Sequence, residues 1–183
     1  FYPGPGLGGP CIPVVPHYLS WKSRQLGYEP RMIAVADEIN EGMPAHVVDL
    51  VRRALASQGK PLAGARVLLL GITYKPNVSD TRVSPPMQIL QLLVGLGADA
   101  SYHDPLVPVF EISGQQVVSV ELDDDALAAA DCVLITTDHA TYDWPHIRRT
   151  AALVVDTRNA LARDSEATQA DARIVRLGTP IEE

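Results

Sequence analysis

The stretch ARVLLLGIT, residues 65–73, gives the clearest indication of the fold of this 183-residue chain. It is a short apolar run that stops at a loop, and such a run is typical of a strand buried on both faces of a parallel sheet. The segment SPPMQILQLLVGLG, residues 84–97, predicts a helix, because two prolines stand at its start and a glycine at its end. The order of strand, loop and helix indicates an α/β domain.

The residues that follow repeat this alternation of strand and helix. Strands are predicted in DASYHD (99–104), DCVLITT (131–137), ALVVDTRN (152–159) and ARIVRLG (172–178), and helices in ELDDDALAAA (121–130) and, with a break, HATYDWPHIRRT (139–150). Strands that alternate with helices imply a doubly wound parallel sheet. We therefore expect residues 60–183 to form a Rossmann-like domain.

Residues 17–59, which precede the sheet, have helical patterning. The segment HYLSWKSRQLG, residues 17–27, ends at a glycine that is a typical helix C-cap. The next segment carries an apolar stripe at helical spacing, formed by Ile33, Ala36, Ile39, Met43, Val47, Val48, Val51 and Leu55. Pro44 is expected to bend this helix or to start a second one. The stripe belongs to a core or to a subunit interface, and we favour a dimer interface because few other elements are available to cover it.

Composition and charge argue against several classes of function. The chain has 15 basic and 22 acidic side chains, and this net charge of −7 disfavours nucleic-acid binding. No apolar run approaches about 18 residues and no secretory signal is recognisable, so we expect no membrane association. The two cysteines lie far apart and fit a reduced cytoplasm, and the five histidines lack metal-ligand spacing, so no metal site is expected.

The segment FYPGPGLGGPCIPVVP, residues 1–16, combines five prolines and four glycines with Cys11. Its GPGLGG part matches a dinucleotide-binding pattern, but no strand precedes it and we expect PCIPVVP not to open a helix, so that interpretation is rejected. Two alternatives remain, a rigid surface turn and a loop whose backbone N–H groups approach a ligand closely. Cys11 is correspondingly either a small buried hydrophobe or a nucleophile.

Cationic side chains follow two of the predicted strands. The loop GITYKPNVSDTRVSP, residues 71–85, carries Tyr74, Lys75 and Arg82, and Arg158 follows the strand that ends in VVD. Loops at the carboxyl ends of parallel strands line a binding crevice, and two cationic loops at one edge suit a diphosphate.

Other residues near these strand ends have plainer explanations. A solvated loop with an Asp80–Arg82 surface pair is the alternative to an anion site. Asp104 and Asp138 are expected to cap turns or helices rather than to do chemistry. Cys132, inside an apolar strand, is expected in the core.

Six ordered segments together resemble a known family. They are FYPGPGLGGPCIP, YLSWK, EIN…MP, GITYK…SDTRVSP, YHDP and DTRN, and in this order and spacing they resemble the nucleotide-sugar 6-dehydrogenases. That family includes UDP-glucose dehydrogenase, and CIP…P.YLSWK is more similar to its UDP-N-acetylglucosamine/mannosamine branch.

The resemblance covers essentially the whole chain but only the back portion of such an enzyme. It implies an active-site cysteine loop at 1–16, a central helical dimerisation segment at 17–59 and a UDP-binding Rossmann-like domain at 60–183. The family's N-terminal NAD domain, with its catalytic lysine and general-base carboxylate, has no counterpart here. We therefore expect the chain to be a fragment that is inactive alone.

The resemblance also implies a reaction. A UDP-N-acetylhexosamine is oxidised to the uronic acid with two NAD⁺, and the Cys11 thiolate forms a thiohemiacetal and then a thioester. The residues implied to bind the substrate are Tyr2, Pro3, Gly4, Pro5, Gly6, Leu7, Gly8, Tyr74, Lys75 and Arg158. Cys11 and Arg82 would meet the NAD cofactor, and the helix at 31–58 would form a homodimer.

Two positions depart from the family pattern. Val15 stands where the family normally has an aspartate, and Pro10 where relatives have histidine or serine. An apolar residue at position 15 leaves the thiol or the hydrolytic water without a polar partner. The alternatives are therefore a non-catalytic UDP-sugar-binding relative, a UDP-glucose 6-dehydrogenase, and a purely structural dimerisation module.

Overall fold

The computed structural model describes residues 2–112, 114–163 and 172–179. Two helices come first, α1 (Val15–Gln25) and α2 (Arg31–Ala56). The remaining helices are α3 (Pro85–Gly95), α4 (Asp124–Ala129) and α5 (Trp144–Thr150), followed by a 3₁₀ turn (Ala160–Arg163). The strands are β1 (Arg66–Leu70), β2 (Asp99–His103), β3 (Val109–Ile112), β4 (Gln115–Val118), β5 (Cys132–Ile135), β6 (Leu153–Asp156) and β7 (Arg173–Arg176).

Five strands form one parallel sheet in the order β2-β1-β5-β6-β7. Alternate side chains of β1 point to opposite faces, so Leu69 packs with residues of α2 and α3 while Leu70 packs with residues of α4 and α5. Helices cover both faces, and this confirms the predicted doubly wound α/β fold. The strand predicted at 172–178 is the edge strand β7.

Helix α2 has two unlike halves. Its second half supplies core residues such as Val47, Val51 and Leu55, whereas in its first half Ile39 is 62% exposed. The expected dimer interface is therefore wrong for the second half of the stripe, because the sheet of the same chain covers it. A second helix at Pro44 is also wrong, since α2 continues through this buried proline.

Two further details differ from the sequence-based expectations. Helix α1 opens at Val15 with Pro16 in its first turn, so PCIPVVP does lead into a helix, which proline tolerates at that position. Strands β3 and β4 form an antiparallel hairpin that the sequence did not predict, because Phe110 is its one buried side chain among the described residues.

No helix in the described ranges combines the length and apolarity that crossing a membrane requires.

Candidate functional site

The candidate site lies at the carboxyl edge of the parallel sheet. The strand order reverses between β1 and β5, and in such sheets ligands bind in the crevice at this point. The loop after β1 carries Tyr74 and Lys75, and the turn after β6 carries Arg158.

The loop that contains Cys11 is fastened to two neighbouring elements. The Gly9 N–H donates to the carbonyl oxygen of Arg82 at 3.0 Å. The Leu7 N–H donates to Oδ1 of Asn40, on α2, at 2.7 Å. These bonds join the loop to the β1–α3 connection on one side and to α2 on the other.

Glycine is required in this loop because other groups approach its backbone closely. A Cβ added at Gly8 would lie 2.5 Å from the Cβ of Tyr74 and from the carbonyl oxygen of Val83. A Cβ at Gly4 would overlap Nη1 of Arg158, so the guanidinium packs directly against the loop backbone. The glycines thus allow the loop to seat on the two cationic segments.

A cleft of about 650 Å³ lies between this loop, α2 and the strand ends. Its lining contains every residue predicted for the substrate except the buried Pro5, namely Tyr2, Pro3, Gly4, Gly6, Leu7, Gly8, Tyr74, Lys75 and Arg158. It also contains Asn40, for which the sequence predicted no role. The sequence feature that could have indicated this residue is its polar side chain next to the apolar stripe of α2. The structure therefore brings the predicted substrate residues together.

The two cations of the cleft are held differently. Arg158 Nε lies 3.3 Å from Oδ1 of Asp138, and the Arg158 N–H donates to Asp156. Lys75 is exposed, and within the described ranges no acidic side chain pairs with it. The sequence predicted that Asp138 caps a turn or a helix, but it did not predict the pairing of Asp138 with Arg158. That pairing arises because β5, which precedes Asp138, lies beside β6, which precedes Arg158, in the sheet.

Cys11 lies beside the cleft rather than among its lining residues, whereas Gly8 and Ile12 line it. The thiol is exposed, and the Cys11 carbonyl accepts the N–H groups of Val14 and Val15 at 3.0 and 2.8 Å, just where α1 begins. The sulfur is therefore carried at the start of a helix, within one turn of the cleft wall.

Arg82 does not reach the cleft lining. Its side chain is 68% exposed and its guanidinium binds Asp80, with Nη2–Oδ2 at 2.7 Å. This is the Asp80–Arg82 surface pair that the sequence suggested as the alternative to an anion site. The hydrogen bond and charge of Asp80 raise the pKa of Arg82, and Tyr74 and Cys11 add smaller electrostatic contributions. The Arg82 carbonyl accepts the N–H of Gly9, two residues before Cys11, so the backbone at Arg82 is joined to the cysteine loop.

The two thiols have opposite environments. Cys132 is fully buried in β5, and this burial raises the pKa of its thiol to about 12. It stays protonated and enclosed, which confirms its expected place in the core. Cys11 is the cysteine that a reactant can approach.

A buried polar network lies directly beneath the Lys75 loop, and the sequence did not predict it. Nε2 of His139 lies 3.1 Å from Oδ2 of Asp104, and the ring contacts Thr73 and Asn77. Asp104 also accepts the N–H groups of Ile72 and Leu106, so its expected capping role is confirmed.

Comparison with known proteins gives a consistent picture. Residues 68–163 match the UDP-glucose/GDP-mannose dehydrogenase family, UDP binding domain, and residues 1–42 match the central domain of the same family. UDP-N-acetyl-D-mannosamine dehydrogenase of Methanococcus maripaludis is 33% identical over 140 residues, which are 76% of this chain and 30% of that protein. UDP-glucose 6-dehydrogenase AglM of Haloferax volcanii is 32% identical over 166 residues, 87% of this chain and 37% of that protein.

A solved structure agrees with these sequence matches. The UDP-D-ManNAc dehydrogenase of Pyrococcus horikoshii superposes with a TM-score of 0.76 at 25% identity, over 95% of this chain and 40% of that chain. This chain therefore spans less than half the length of the relatives described above.

Proposed function

The chain belongs to the UDP-glucose/GDP-mannose dehydrogenase family, and we propose that its cleft binds the UDP part of a nucleotide sugar. Lys75 and Arg158 contact the diphosphate, and Tyr74 adds to this grip. The segment Tyr2–Gly8 lies along the sugar. One observation carries the proposal, namely that cations from two separate strand-end loops line the same cleft as this glycine-rich segment.

The chemistry of the lining supports a diphosphate. An ammonium and a guanidinium form charge-assisted hydrogen bonds to phosphate oxygens, each worth roughly 1.5–3 kcal/mol. The Arg158 guanidinium is already oriented by Asp138 and by the backbone of Gly4, so little of its rotational freedom is lost on binding.

For the whole protein we propose oxidation of the sugar C6 hydroxymethyl group to a carboxylate. A nicotinamide dinucleotide supplies the hydride acceptor when it is bound. The Cys11 thiolate adds to the carbonyl carbon of the C6 aldehyde and forms a thiohemiacetal, which keeps the aldehyde from escaping. Loss of a second hydride from C6 converts the thiohemiacetal into a thioester. Water then cleaves the C6–sulfur bond of this thioester and gives the acid and the free thiolate.

The described residues do not form a dinucleotide cradle of their own. No described strand is followed by a glycine-rich turn that opens a helix, and Arg82 is the one residue of this chain that we propose to reach the pyrophosphate of the dinucleotide. We therefore expect the 183 residues by themselves to form no NADH from UDP-N-acetylglucosamine and NAD⁺.

We propose a UDP-N-acetylhexosamine as the substrate of the whole protein. The Methanococcus and Pyrococcus relatives are named for UDP-N-acetylmannosamine, while the Haloferax relative is named for UDP-glucose. Both cysteines of the chain are free, and a reducing cytoplasm would preserve the Cys11 thiol that this reaction needs.

We further propose that α1 and the first half of α2 form a homodimer interface. Large apolar side chains remain exposed there, among them Tyr18, Trp21, Met32, Val35 and Ile39. Monomeric proteins rarely expose so many neighbouring apolar groups.

Calorimetry with UDP, and with uridine as the phosphate-free control, tests the binding proposal. We expect one UDP to bind per chain with saturation, and uridine to bind far more weakly because it lacks the diphosphate. Absence of UDP binding, or equal affinity for uridine, would contradict the proposal.

A non-catalytic UDP-sugar-binding protein is a second candidate, and Val15 favours it. This apolar side chain stands on the first turn of α1, whose backbone is bonded to Cys11, so it offers the thiol no polar partner. Val15→Asp in the whole protein separates the candidates. NADH formation that is already substantial, or that rises in the variant, supports an enzyme, whereas no gain with UDP-sugar binding intact supports the binding-protein interpretation.

A further inference from the structure

The buried histidine beneath the cleft has a defined protonation state. The Asn77 backbone N–H donates to Nδ1 of His139 at 3.0 Å, and a backbone N–H can only donate. Nδ1 must therefore carry a lone pair, and the ring proton must be on Nε2, where Asp104 Oδ2 at 3.1 Å and Thr73 Oγ1 at 3.3 Å accept it. His139 is 1% exposed, so water does not compete for these bonds.

The same histidine holds one end of the loop that carries Lys75. Asn77 lies at a φ of 61° and is anchored twice, through its N–H to His139 and through its Oδ1, which accepts the Ala140 N–H at 2.9 Å. At the other end, the Thr73 hydroxyl donates to the Lys75 carbonyl at 3.0 Å. Lys75 is thus bracketed by two residues that both contact the His139 ring.

Asp104 fixes the ring in turn. Its carboxylate also accepts the N–H of Ile72 at 2.7 Å and that of Leu106 at 2.9 Å, so it is tied to the ends of both β1 and β2. Tyr142 packs edge-on against the ring, with centroids 5.8 Å apart. The ring therefore links the sheet to a loop in which residues 74–83 are half-buried or exposed.

We propose that His139 is a positioning residue that, through its unprotonated Nδ1, holds the Lys75 loop in the conformation that grips the nucleotide diphosphate. Asp104 acts behind it by selecting the Nε2–H tautomer. His139 touches no part of the cleft, and its effect on the ligand is transmitted by Asn77 and Thr73. This inference rests on the proposed UDP site and adds a residue to it.

Two substitutions test the roles of the two ring nitrogens of His139 independently. In His139→Asn the side-chain oxygen can replace Nδ1 and accept from Asn77, whereas the bond to Asp104 is lost. In His139→Gln the side-chain amide can replace Nε2 and donate to Asp104, whereas the acceptor for Asn77 is lost. Asparagine leaves the larger cavity, so a purely structural role predicts that His139→Asn is the more damaging change.

The proposal predicts the reverse order for UDP binding. We expect His139→Gln to weaken UDP affinity at least tenfold in calorimetry and to speed hydrogen exchange of the Asn77 amide, while His139→Asn stays within about threefold of wild type. Long-range ¹H–¹⁵N spectra of the wild-type chain should show Nδ1 as the unprotonated ring nitrogen. His146→Asn and His146→Gln, at an exposed histidine on α5, serve as matched controls that leave UDP affinity unchanged.

The outcomes distinguish failure of the proposed UDP site from failure of the role proposed for His139. A wild-type chain that does not bind UDP overturns the proposed function, and this inference with it. UDP binding that His139→Gln leaves intact, or that His139→Asn reduces more than His139→Gln does, overturns the inference alone. A protonated Nδ1 in the folded wild-type chain also overturns it.

Discussion

At the scale of single residues, the site depends on Lys75 and Arg158, which are far apart in sequence and line one cleft. Their environments differ, because Arg158 is paired with Asp138 while Lys75 projects from an exposed loop position. The ammonium of Lys75 is therefore the simpler of the two to test.

We predict that Lys75→Met weakens UDP binding about ten- to a hundredfold, which corresponds to the loss of one charge-assisted hydrogen bond. Calorimetry at fixed ionic strength measures the change. Lys60→Met is the matched control, because Lys60 pairs with Asp131 at the amino ends of the strands. Equal losses in both variants would show a general charge effect and contradict a local grip.

The close contacts of the cysteine loop give a second prediction. Gly8→Ala places a methyl group against backbone and Tyr74, so we expect the free energy of unfolding to fall by about 1–3 kcal/mol and the Gly9 amide to exchange faster. Gly42→Ala is the control, since no atom beyond the neighbouring backbone of α2 itself lies within 4 Å of its Cβ position. That variant should gain up to about 1 kcal/mol from helix propensity. Urea titration that ranks the two variants the other way would contradict the packing described here.

At the scale of elements, the sequence predicted the strands that are buried on both faces and missed the two strands that are largely exposed. Strands β1, β5 and β6 are covered on both faces, so each is a continuous apolar run that the sequence reveals. The hairpin of β3 and β4 buries little beyond Phe110 and therefore leaves no such pattern.

The candidate site was likewise predictable only in part. Lys75 and Arg158 were recognisable because each follows an apolar strand. Asn40, Asp138 and His139 were not, because their partners are set by how α2 and the strand-end loops meet, and no local spacing encodes that meeting. The apolar stripe of α2 likewise shows burial but does not tell whether its own sheet or a second subunit covers each half.

We predict that Ile39→Asp lowers self-association of the chain without unfolding it, because a charge in an apolar interface opposes dimerisation. Sedimentation velocity measures the change in the fraction of dimer. Val94→Asp, at a comparably exposed apolar position on α3, is the matched control. A wild-type chain that is monomeric, or that both variants affect alike, would contradict an interface at α2.

At the scale of the whole molecule, the Asp104–His139 network couples the site to stability. Burial alone would raise the pKa of Asp104, but hydrogen bonds from His139, Ile72 and Leu106 outweigh it and hold the pKa below the ordinary aspartate value. A carboxylate with a lowered folded pKa contributes stability above its unfolded pKa of about 4, and this contribution is lost as pH falls through the folded value.

We therefore predict that Asp104→Asn destabilises the chain at neutral pH, and that its deficit relative to wild type shrinks as pH falls below the unfolded aspartate pKa of about 4. Urea unfolding at several pH values measures the difference. Asp125→Asn, at an exposed aspartate on α4, should show a much smaller pH dependence. A deficit that is independent of pH would mean that the carboxylate charge plays no part.

The most direct test of the account is a crystal structure of this chain with UDP-N-acetylglucosamine. We expect the diphosphate between Lys75 and Arg158, the sugar along Tyr2–Gly8, and its C6 directed toward Cys11. A nucleotide bound outside this cleft, or a hexose whose C6 points away from Cys11, would contradict it.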